Sequence, residues 1–283
     1  MTKNHYDYII CGGGASGLLL AYRICNDPYF KDLSILIIEK DIKNTNDRTW
    51  CFWESGTGDL EELIHKNWDQ ANFTAEDFKL DFSLQPFHYK MIRSLDFYQS
   101  MNNKLSKFDQ LTQIKEKVKS IENGIVTTEI KSYHGGMIFS SIYNTNSLTL
   151  QKKYPVLLQH FIGQVVQTQK PCFDPNKIEL MNFNVPQKGN TRFMYLLPFN
   201  SNKALLEYTL FSENVLERKE YSDAIAEFLN QMPTGGFEIL EEEEGKIPMT
   251  CYRFDLKNSS NLLHIGTAGG WTKPSTGYTF QRI

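Results

Sequence analysis

The sequence predicts an α/β fold built from two parts, and three observations lead to this prediction. An apolar strand, a glycine-rich turn, a helix and a second apolar strand follow one another at the start of the 283-residue chain. Short segments rich in β-branched and aromatic residues, typical of an antiparallel sheet, dominate the middle of the chain. A short apolar strand, Leu262 to Gly266, comes near the end and is expected to return to the first part.

The first part begins with a βαβ unit. Tyr8 to Cys11 is a short apolar run typical of a buried parallel strand, and the run from Leu33 to Glu39 is a second one. Between them, the apolar positions from Leu18 to Ile24 follow helical spacing, and the helix is expected to end near Asn26-Asp27-Pro28. Strand, turn, helix and strand in this order indicate a Rossmann-type nucleotide-binding domain.

The turn of this unit carries three glycines in G-x-G-x-x-G spacing. Gly12 permits the tight turn, Gly14 lets the backbone approach a pyrophosphate, and Gly17 allows the helix and the strand to touch. Glu39 ends the second strand, where a carboxylate can accept hydrogen bonds from ribose hydroxyls. These residues predict a dinucleotide site without deciding between FAD and NAD, although the N-terminal position and a second glycine-rich turn favour FAD.

The second glycine-rich turn follows the late apolar strand. It contains Gly266, Thr267, Gly269 and Gly270, and we take these four as candidate cofactor contacts. A turn of this kind can present backbone N–H groups to a flavin ring or its ribityl chain. A plain turn of small residues explains the same pattern equally well.

Four segments of the middle region predict a mostly antiparallel sheet, and a helix is expected from Leu216 to Met232. Residues from Trp50 to Asn103 are expected to mix loops and short helices. The predicted domains are therefore 1–110 with 245–283 for the nucleotide and 111–244 for an inserted substrate-binding sheet. The predicted strands are VLLQHFIGQVVQTQ, KIELMNFNV, TRFMYLLPF and KALLEYTLF.

Composition excludes some classes of function. A net charge of −3 argues against nucleic acid as the main partner, because phosphate binding needs a basic face. The five cysteines are scattered and the histidines lack metal-ligand spacing, so we expect reduced thiols and no metal. Without a signal peptide or a bilayer-length apolar run, the protein is expected to be cytoplasmic, either soluble or on a membrane surface. The acidic run Glu241 to Glu244 is expected to be solvated.

Five stretches in order along the chain resemble the lycopene cyclase family of flavoproteins: DRTWCFWE, YLLPF, LLEYTLFS, EEGKIPMT and GTAGGWTKPSTGYTF. The resemblance implies a glutathione-reductase-like, FAD-binding Rossmann domain with an inserted antiparallel-sheet substrate domain. It also implies an isomerase that uses reduced FAD, with NAD(P)H as the reductant. Such an enzyme would convert the ψ ends of lycopene, or another linear carotenoid, to β-ionone rings via γ-carotene to β-carotene, without net redox change.

The resemblance also assigns residues. It places the essential acid at Glu207, where a desolvated carboxylic acid in a strand is a reasonable proton donor and later acceptor. Arg48 is a candidate for the flavin side, and Trp50, Trp53 and Tyr208 are candidates to line the substrate. Two other functions stay open: an FAD- and NAD(P)H-dependent reductase or hydroxylase acting on an isoprenoid, and an inactive remnant.

Two features depart from the family pattern. Family members often carry Met-Asp in the strand where this chain has Met181-Asn182, and an amide cannot ionise. Family members also continue beyond the position of Ile283, so truncation at the C-terminal side is expected.

Because a carotenoid is insoluble in water, peripheral contact with a membrane surface is expected as well.

Overall fold

The computed structural model describes residues 4–143, 148 and 150–283, and its contacts divide the chain into two compact units. Unit 1 comprises Met1–Thr45, Leu95–Pro155 and Thr250–Ile283, and unit 2 comprises Asn46–Ser94 and Val156–Met249. Strands and helices are numbered along the chain. The mixture of a largely parallel sheet with an antiparallel sheet confirms the predicted α/β class.

Unit 1 is built on a sheet with the order β8-β2-β1-β11-β10-β9, in which β17 also pairs with β11. Strands β8, β2, β1, β11 and β17 run parallel to one another, while β9 and β10 are antiparallel additions. The helices of this unit are α1 (Ala15–Asn26) and most of α2 (Ser94–Leu105). The strands are β1 (His5–Cys11), β2 (Ile35–Glu39), β8 (Leu111–Lys115), β9 (Val118–Glu122), β10 (Ile125–Thr128), β11 (Ser132–Ser140) and β17 (Leu262–His264).

The central strands of this sheet are apolar along their whole buried length, which explains why they are parallel and covered. Ile9, Ile10 and Cys11 of β1 and the run from Ile35 to Ile38 of β2 are fully buried. Helix α1 buries Leu18, Leu19, Ala21 and Ile24, the face that its helical spacing predicts. The predicted βαβ unit is therefore confirmed.

Residues 111–143 join the sheet of unit 1. Strand β8 extends the parallel sheet beside β2, and β11 lies directly beside β1. The sequence analysis placed these residues in the inserted domain because they read only as short strands, and strand pairing over a long sequence separation leaves no local signal. The sequence Glu122-Asn123-Gly124, typical of a hairpin turn, joins β9 and β10, with Asn123 and Gly124 both at positive φ.

Unit 2 contains a seven-stranded sheet with the order β16-β12-β15-β14-β13-β5-β6. All neighbours are antiparallel except β13 and β5, so the predicted mostly antiparallel sheet is confirmed. Helix α3 (Arg218–Asn230) fulfils the helix expected there. The strands are β5 (Gln70–Ala75), β6 (Phe78–Ser83), β12 (Leu157–Thr168), β13 (Lys177–Asn182), β14 (Thr191–Pro198), β15 (Lys203–Ser212) and β16 (Phe237–Met249).

A second, three-stranded antiparallel sheet in unit 2 has the order β3-β7-β4. Its strands are β3 (Thr49–Glu54), β4 (Lys66–Trp68) and β7 (His88–Arg93). The expectation of loops and short helices between Trp50 and Asn103 is therefore wrong for most of that stretch. The aromatic residues of β3 favour a strand, but its partner β7 lies about forty positions later and supplies no local pattern.

Helix α3 covers one face of the seven-stranded sheet and encloses the core of unit 2. Tyr221, Ile225 and Leu229 of the helix pack with Leu206, Tyr208 and Leu210 of β15 and with residues of β12 and β14. The other face of the sheet carries Glu207 and Tyr195. Among the described residues, no helix has both the length and the apolar character needed to cross a bilayer.

Candidate functional site

The glycine turn of unit 1 lies at the edge where the parallel strands end. Cys11 at the end of β1 is paired with Ile38 of β2 and with Ser140 of β11, and His264 of β17 lies opposite Ser140. In open parallel sheets, ligands bind outside the carboxyl ends of the strands. The turn after β1, Glu39 at the end of β2 and the turn after β17 are thus brought to one edge.

The three glycines of the first turn meet different demands. Gly12 has φ of 105°, and a Cβ atom there would lie 2.2 Å from Ser141 Oγ. A Cβ at Gly17 would lie 2.0 Å from the carbonyl oxygen of Gly12, so close packing of the helix on the turn excludes a side chain. At Gly14 a Cβ would meet nothing within 4 Å, so this glycine faces open space at the start of α1.

Helix α1 offers its first turn to an anion. Gly14 is its N-cap and provides no side-chain cap, and the first turn contains no acidic residue. Uncapped N–H groups and the positive end of the helix dipole together suit a phosphate. Glu39 lies beside the turn, where Oε2 accepts a 2.6 Å hydrogen bond from the Gly13 N–H and Oε1 accepts one of 3.0 Å from Asp41.

The second glycine turn packs against the start of the same helix. Gly266 has φ of 60°, and a Cβ there would lie 2.2 Å from Ser16 Oγ. The turn forms a short 3₁₀ helix, Gly266–Gly269, that ends at Gly270 in the left-handed region. Thr267 Oγ1 lies 3.5 Å from Thr272 Oγ1, which donates to it. The structure thus brings Gly12, Gly14, Gly17, Glu39 and Gly266 together, and their role toward a cofactor stays a prediction.

Glu207 lies in the middle of β15, on the face of the seven-stranded sheet opposite α3. Its side chain is half-buried. Burial raises the pKa of this carboxyl well above the usual range, and the negative charge of Glu243 raises it further. Among the described residues, two cations of β14 and β15 do not pair with it: Arg192 binds Glu220 at 2.7 Å, and Lys203 lies over the Phe199 ring.

Strand β3 of the three-stranded sheet lies against the acidic face, which is the face of the seven-stranded sheet that carries Glu207 and Glu243. Thr49 Oγ1 donates a 2.9 Å hydrogen bond to Glu243 Oε2. The pKa of the Cys51 thiol is raised, first by burial and then by the nearby charges of Glu207 and Glu243. On the same face of β3, the ring of Trp53 lies 4.6 Å from that of Tyr89 between centroids.

Two tyrosines also line the surface around Glu207. Tyr195 of β14 lies directly opposite Glu207 of β15, and its hydroxyl donates a hydrogen bond to that of Tyr89 on β7. Aromatic rings and one carboxyl therefore line a common surface in unit 2. Aromatic faces are favourable neighbours for a cation.

Trp50 and Tyr208 lie away from this surface, whereas Arg48 lies within electrostatic reach of Glu243. Trp50 and Trp53 point to opposite faces of β3 because side chains alternate along a strand, so only Trp53 shares the face of Thr49 and Cys51. Arg48 donates to the carbonyl oxygens of Asp47 at 2.5 Å and of Glu244 at 3.0 Å. Tyr208 is buried against α3, on the opposite face of the sheet from Glu207.

Asn182, the departure from the family pattern, is buried at the end of β13. Its Nδ2 donates to Glu179 at 3.2 Å, and its Oδ1 accepts a 2.9 Å hydrogen bond from the Asn184 N–H. Both polar ends of the amide therefore have partners within its own segment. Among the described residues, no group of three or more potential ligands is placed to hold a metal ion.

Glu243 is the acid that the sequence analysis missed. The expectation that Glu241 to Glu244 is solvated is wrong for this residue, because its Oε1 atom is buried. Glu242 and Glu244 do point outward on the other face and pair with Arg218. Strand alternation within EEEEGKIPM could have separated Glu241 and Glu243 from Glu242 and Glu244. It could not have shown which of these two pairs faces Glu207.

The chain matches the family model described as lycopene cyclase protein over residues 7–283. It is 24% identical to a capsanthin/capsorubin synthase of Citrus sinensis, covering 98% of this chain and 58% of that protein. It is also 24% identical to a lycopene beta-cyclase of Pantoea ananas, covering 97% of this chain and 71% of that protein. The chain thus spans less than two thirds of the length of the plant relative.

Solved structures of low sequence identity share the fold. A geranylgeranyl bacteriochlorophyll reductase-like protein from Thermoplasma acidophilum matches with a TM-score of 0.67 at 14% identity, over 98% of this chain and 75% of that chain. A probable FAD-dependent monooxygenase from Pseudomonas aeruginosa matches with a TM-score of 0.60 at 12% identity, over 94% of this chain and 79% of that chain. The fold is that of the FAD-binding Rossmann-type enzymes, and the match over residues 7–283 places the chain in the lycopene cyclase family.

Proposed function

We propose that this protein is a lycopene β-cyclase that closes the ψ ends of lycopene, or of another linear carotenoid, into β-ionone rings by acid–base chemistry. The observation that carries the proposal is Glu207, a carboxyl with a strongly raised pKa on a face lined by aromatic rings. An acid that keeps its proton at neutral pH can protonate an alkene, which has no polar handle of its own.

Glu207 would act twice in one cycle. Its proton moves to the terminal double bond, which leaves a positive charge on the neighbouring carbon. The next double bond along the chain attacks that carbon, so one carbon–carbon bond forms and the charge passes into the new ring. The Glu207 carboxylate then removes a ring proton. The acid is regenerated, atoms and electrons balance, and no oxidant or reductant is consumed.

The aromatic residues support the charged stage. Tyr195 faces Glu207 across the strand pair, and the Trp53 and Tyr89 rings lie on the adjoining sheet. Ring faces attract a cation by about 0.5–2 kcal/mol each in a desolvated setting. Apolar walls also exclude water, which would otherwise capture the cation as an alcohol.

The open edge of unit 1 fits FAD. Gly14 leaves space at an uncapped helix N-terminus, where the pyrophosphate would bind. Glu39 would accept hydrogen bonds from ribose hydroxyls, and Gly266, Thr267, Gly269 and Gly270 would contact the flavin end. When bound in its reduced form, for which NAD(P)H is the proposed reductant, the flavin would supply an electron-rich group that can stabilise positive charge. Arg48 stays a candidate for the flavin side.

The proposal is tested in a bacterial host that accumulates lycopene. The chain is expected to convert the pigment to γ-carotene and β-carotene, and Glu207→Gln is expected to lower the yield of cyclised product by about 10²–10⁴-fold. Glu238→Gln, an exposed acid on β16, is the matched control and should leave the yield unchanged. Full cyclisation by Glu207→Gln would remove this residue from the mechanism.

The flavin site has its own test. Gly14→Ala adds a methyl group that meets no protein atom within 4 Å, at a backbone conformation that any residue adopts. The variant should therefore fold with an unchanged Tm and lose bound FAD, measured by flavin absorbance of the purified protein. Unchanged FAD content would show that the cofactor does not approach this turn.

A flavin oxidoreductase acting on an isoprenoid is the second candidate, favoured by the fold shared with a geranylgeranyl reductase-like protein. Mass spectrometry separates the two functions. Cyclisation conserves the mass of the carotenoid and requires only catalytic amounts of reductant. Reduction or hydroxylation changes the mass and consumes one equivalent of NAD(P)H for each product.

A water-insoluble polyene must be collected from a lipid phase, so peripheral membrane association belongs to the proposal. Flotation of the purified protein with liposomes, with and without carotenoid, tests it. Protein that remains entirely in the aqueous fraction under both conditions would contradict this part.

A further inference from the structure

Four residues on four neighbouring strands of unit 2 form one row across the acidic face of the seven-stranded sheet. Tyr195 of β14 is paired with Glu207 of β15, Glu207 with Gly163 of β12, and Gly163 with Glu243 of β16. Residues directly opposite one another across antiparallel strands point to the same face. The two glutamates are thus separated by strand β12. The residue of β12 that lies between them is Gly163, which has no side chain.

Gly163 leaves the space into which both acids lean. A Cβ atom at this position would lie 3.0 Å from Cγ of Glu207 and 3.2 Å from Cγ of Glu243. Gly163 is absent from the residues at positive φ, so its backbone does not require glycine. The room that a missing side chain provides is therefore the structural reason for glycine here.

The surroundings of the two carboxyls are unequal. Burial raises the pKa of Glu243. That rise is opposed first by the 2.9 Å hydrogen bond that Oε2 accepts from Thr49, then by hydrogen bonding with Glu207, and last by the positive charges of Arg93 and Arg48. Glu207 receives no such support, and its pKa is raised more strongly. The negative charge of the pair is therefore favoured on Glu243, and the proton on Glu207.

One oxygen of Glu243 is left over. Within the part of the chain that the structure describes, Glu243 Oε1 is buried without a hydrogen-bond partner. A buried carboxylate oxygen without a donor is costly, and a protonated neighbour would relieve it. The Glu207 and Glu243 carboxyls are also within hydrogen-bonding reach of each other. Two carboxyls in such contact disfavour double ionisation, so they titrate as a pair rather than singly.

We propose that Glu207 and Glu243 share one proton across Gly163, and that Glu243 is the positioning residue that holds this proton on Glu207. The role of that proton in cyclisation rests on the proposed function, whereas the pair itself does not. The other charged or titratable groups that face the pair come from β3, β7, β14 and β16 and the segment before β3: Arg48, Cys51, Tyr89, Arg93, Tyr195 and Glu241.

The pair gives the cycle a direction. When Glu207 passes its proton to the alkene, the row holds two carboxylates, and their negative charges face the new carbocation. The same repulsion makes Glu207 a stronger base than a lone glutamate, so it readily takes the proton that the ring releases. The Glu207 carboxyl gives one proton to the alkene carbon and later takes a different proton from a ring carbon, while Glu243 keeps its charge throughout.

Infrared spectroscopy of the purified protein tests the pair without any reaction. Above about pH 6, where ordinary glutamates have lost their protons, the wild type should still show the C=O band of a protonated carboxyl. Glu207→Gln should abolish the band. In Glu243→Gln the band should persist and titrate lower by about one pH unit or more, because the repulsion is gone. A wild type without the band at neutral pH, or an unchanged titration in Glu243→Gln, would overturn the proposal.

Gly163→Ala tests the geometry with both acids retained. Its Cβ would push the two carboxyls apart, so the band should titrate lower, as in Glu243→Gln. Glu243→Asp keeps the charge and serves if Gly163→Ala fails to fold; its titration should lie between those of the wild type and Glu243→Gln. Glu238→Gln is the matched control on the same strand, and a shift as large as that of Glu243→Gln would contradict the specific pairing.

Activity profiles separate this inference from the proposed function. If the wild type cyclises lycopene, the alkaline limit of its rate should move to lower pH in Glu243→Gln together with the infrared titration. If the wild type forms no cyclised product while the shared proton is observed, the proposed function fails and the pair stands. Cyclisation with an alkaline limit that does not respond to Glu243→Gln would sink the pair and leave the proposed function intact.

Discussion

The two faces of the seven-stranded sheet in unit 2 treat polar groups in opposite ways. On the face under α3, Arg192 is bound by Glu220 at 2.7 Å and by Asn190 at 2.6 Å, and Gln164 donates to Glu242 at 2.8 Å. On the other face, Glu207 has no cation and Glu243 has an unpaired oxygen among the described residues. The Arg192 and Gln164 side chains have their partners, whereas the two acids on the other face are held in a state that costs free energy.

Adjacent residues of one strand show the difference most directly. Tyr208 points toward α3, its hydroxyl accepts a 3.3 Å hydrogen bond from Arg192 Nη1, and its ring packs edge-on against Tyr221. Glu207, one position earlier, points to the opposite face and its pKa is raised. A sheet can thus place a stabilising core and an electrostatically unfavourable site within one residue of each other, and the core offsets the cost of the site.

The largest effect on stability is expected from a change at Tyr208, the residue of this pair that points toward α3. Tyr208→Ala removes a ring that is fully buried in the core under α3, and large-to-alanine changes in cores cost about 3–5 kcal/mol. Urea denaturation measures the free energy of unfolding. Tyr208→Phe is the control: it keeps the ring and loses one hydrogen bond, at a cost of about 1 kcal/mol. A loss below about 1 kcal/mol for Tyr208→Ala would show that this face is not the core we describe.

The acid side should respond to pH with the opposite sign from ordinary acid denaturation. Because the folded protein holds the Glu207 proton more tightly than the unfolded chain, this group stabilises the fold most below the ordinary glutamate pKa of about 4.3. That contribution falls by up to about 1.4 kcal/mol per pH unit as pH rises toward the folded pKa. Wild type should therefore lose stability relative to Glu207→Gln above about pH 4.3.

Urea denaturation of both proteins across that range checks the sign. The free-energy curves should converge toward acid pH and separate toward neutral pH, with the variant above the wild type. Glu238→Gln, on the exposed part of β16, should run parallel to the wild type. Parallel curves for wild type and Glu207→Gln would mean that Glu207 is ionised in the folded protein, and the comparison between the two faces would fail.

How much of this could be predicted from the sequence depends on how local each feature is. The glycine turn could be predicted because strand, turn and helix are contiguous, and the structure places Gly12, Gly14 and Gly17 as the spacing indicates. The hairpin at Asn123-Gly124 is local too. Strand alternation placed Glu207 and Tyr208 on opposite faces, but it could not identify which face α3 covers.

The rest could not be predicted, because it depends on strand order. Glu207, Gly163 and Glu243 lie far apart in the sequence and form one row only because β12 lies between β15 and β16. Gly163 looks like an ordinary weak point in a strand until its two neighbours are known. The acidic run that contains Glu243 has the composition of a solvated segment, and only pairing shows that alternate members point inward.

The smallest predicted effect sharpens the comparison from the helix side. Hydrogen bonds from Lys188 and then Arg192 lower the pKa of Glu220, so this acid stabilises the fold above about pH 4.3 and the contribution is lost as pH falls. Glu220→Gln should cost about 1 kcal/mol at neutral pH, since the acid is partly screened by solvent while Arg192 is buried. The difference from wild type in the free energy of unfolding, measured by urea denaturation, should shrink toward acid pH. In the variant, Arg192 keeps its bonds to Asn190 and Tyr208. Lys188→Gln removes only an exposed partner and should have the smaller effect. The Glu220 and Glu207 variants would then diverge from wild type in opposite directions at neutral pH, and a Glu220→Gln protein that gained stability there would erase the distinction between the faces.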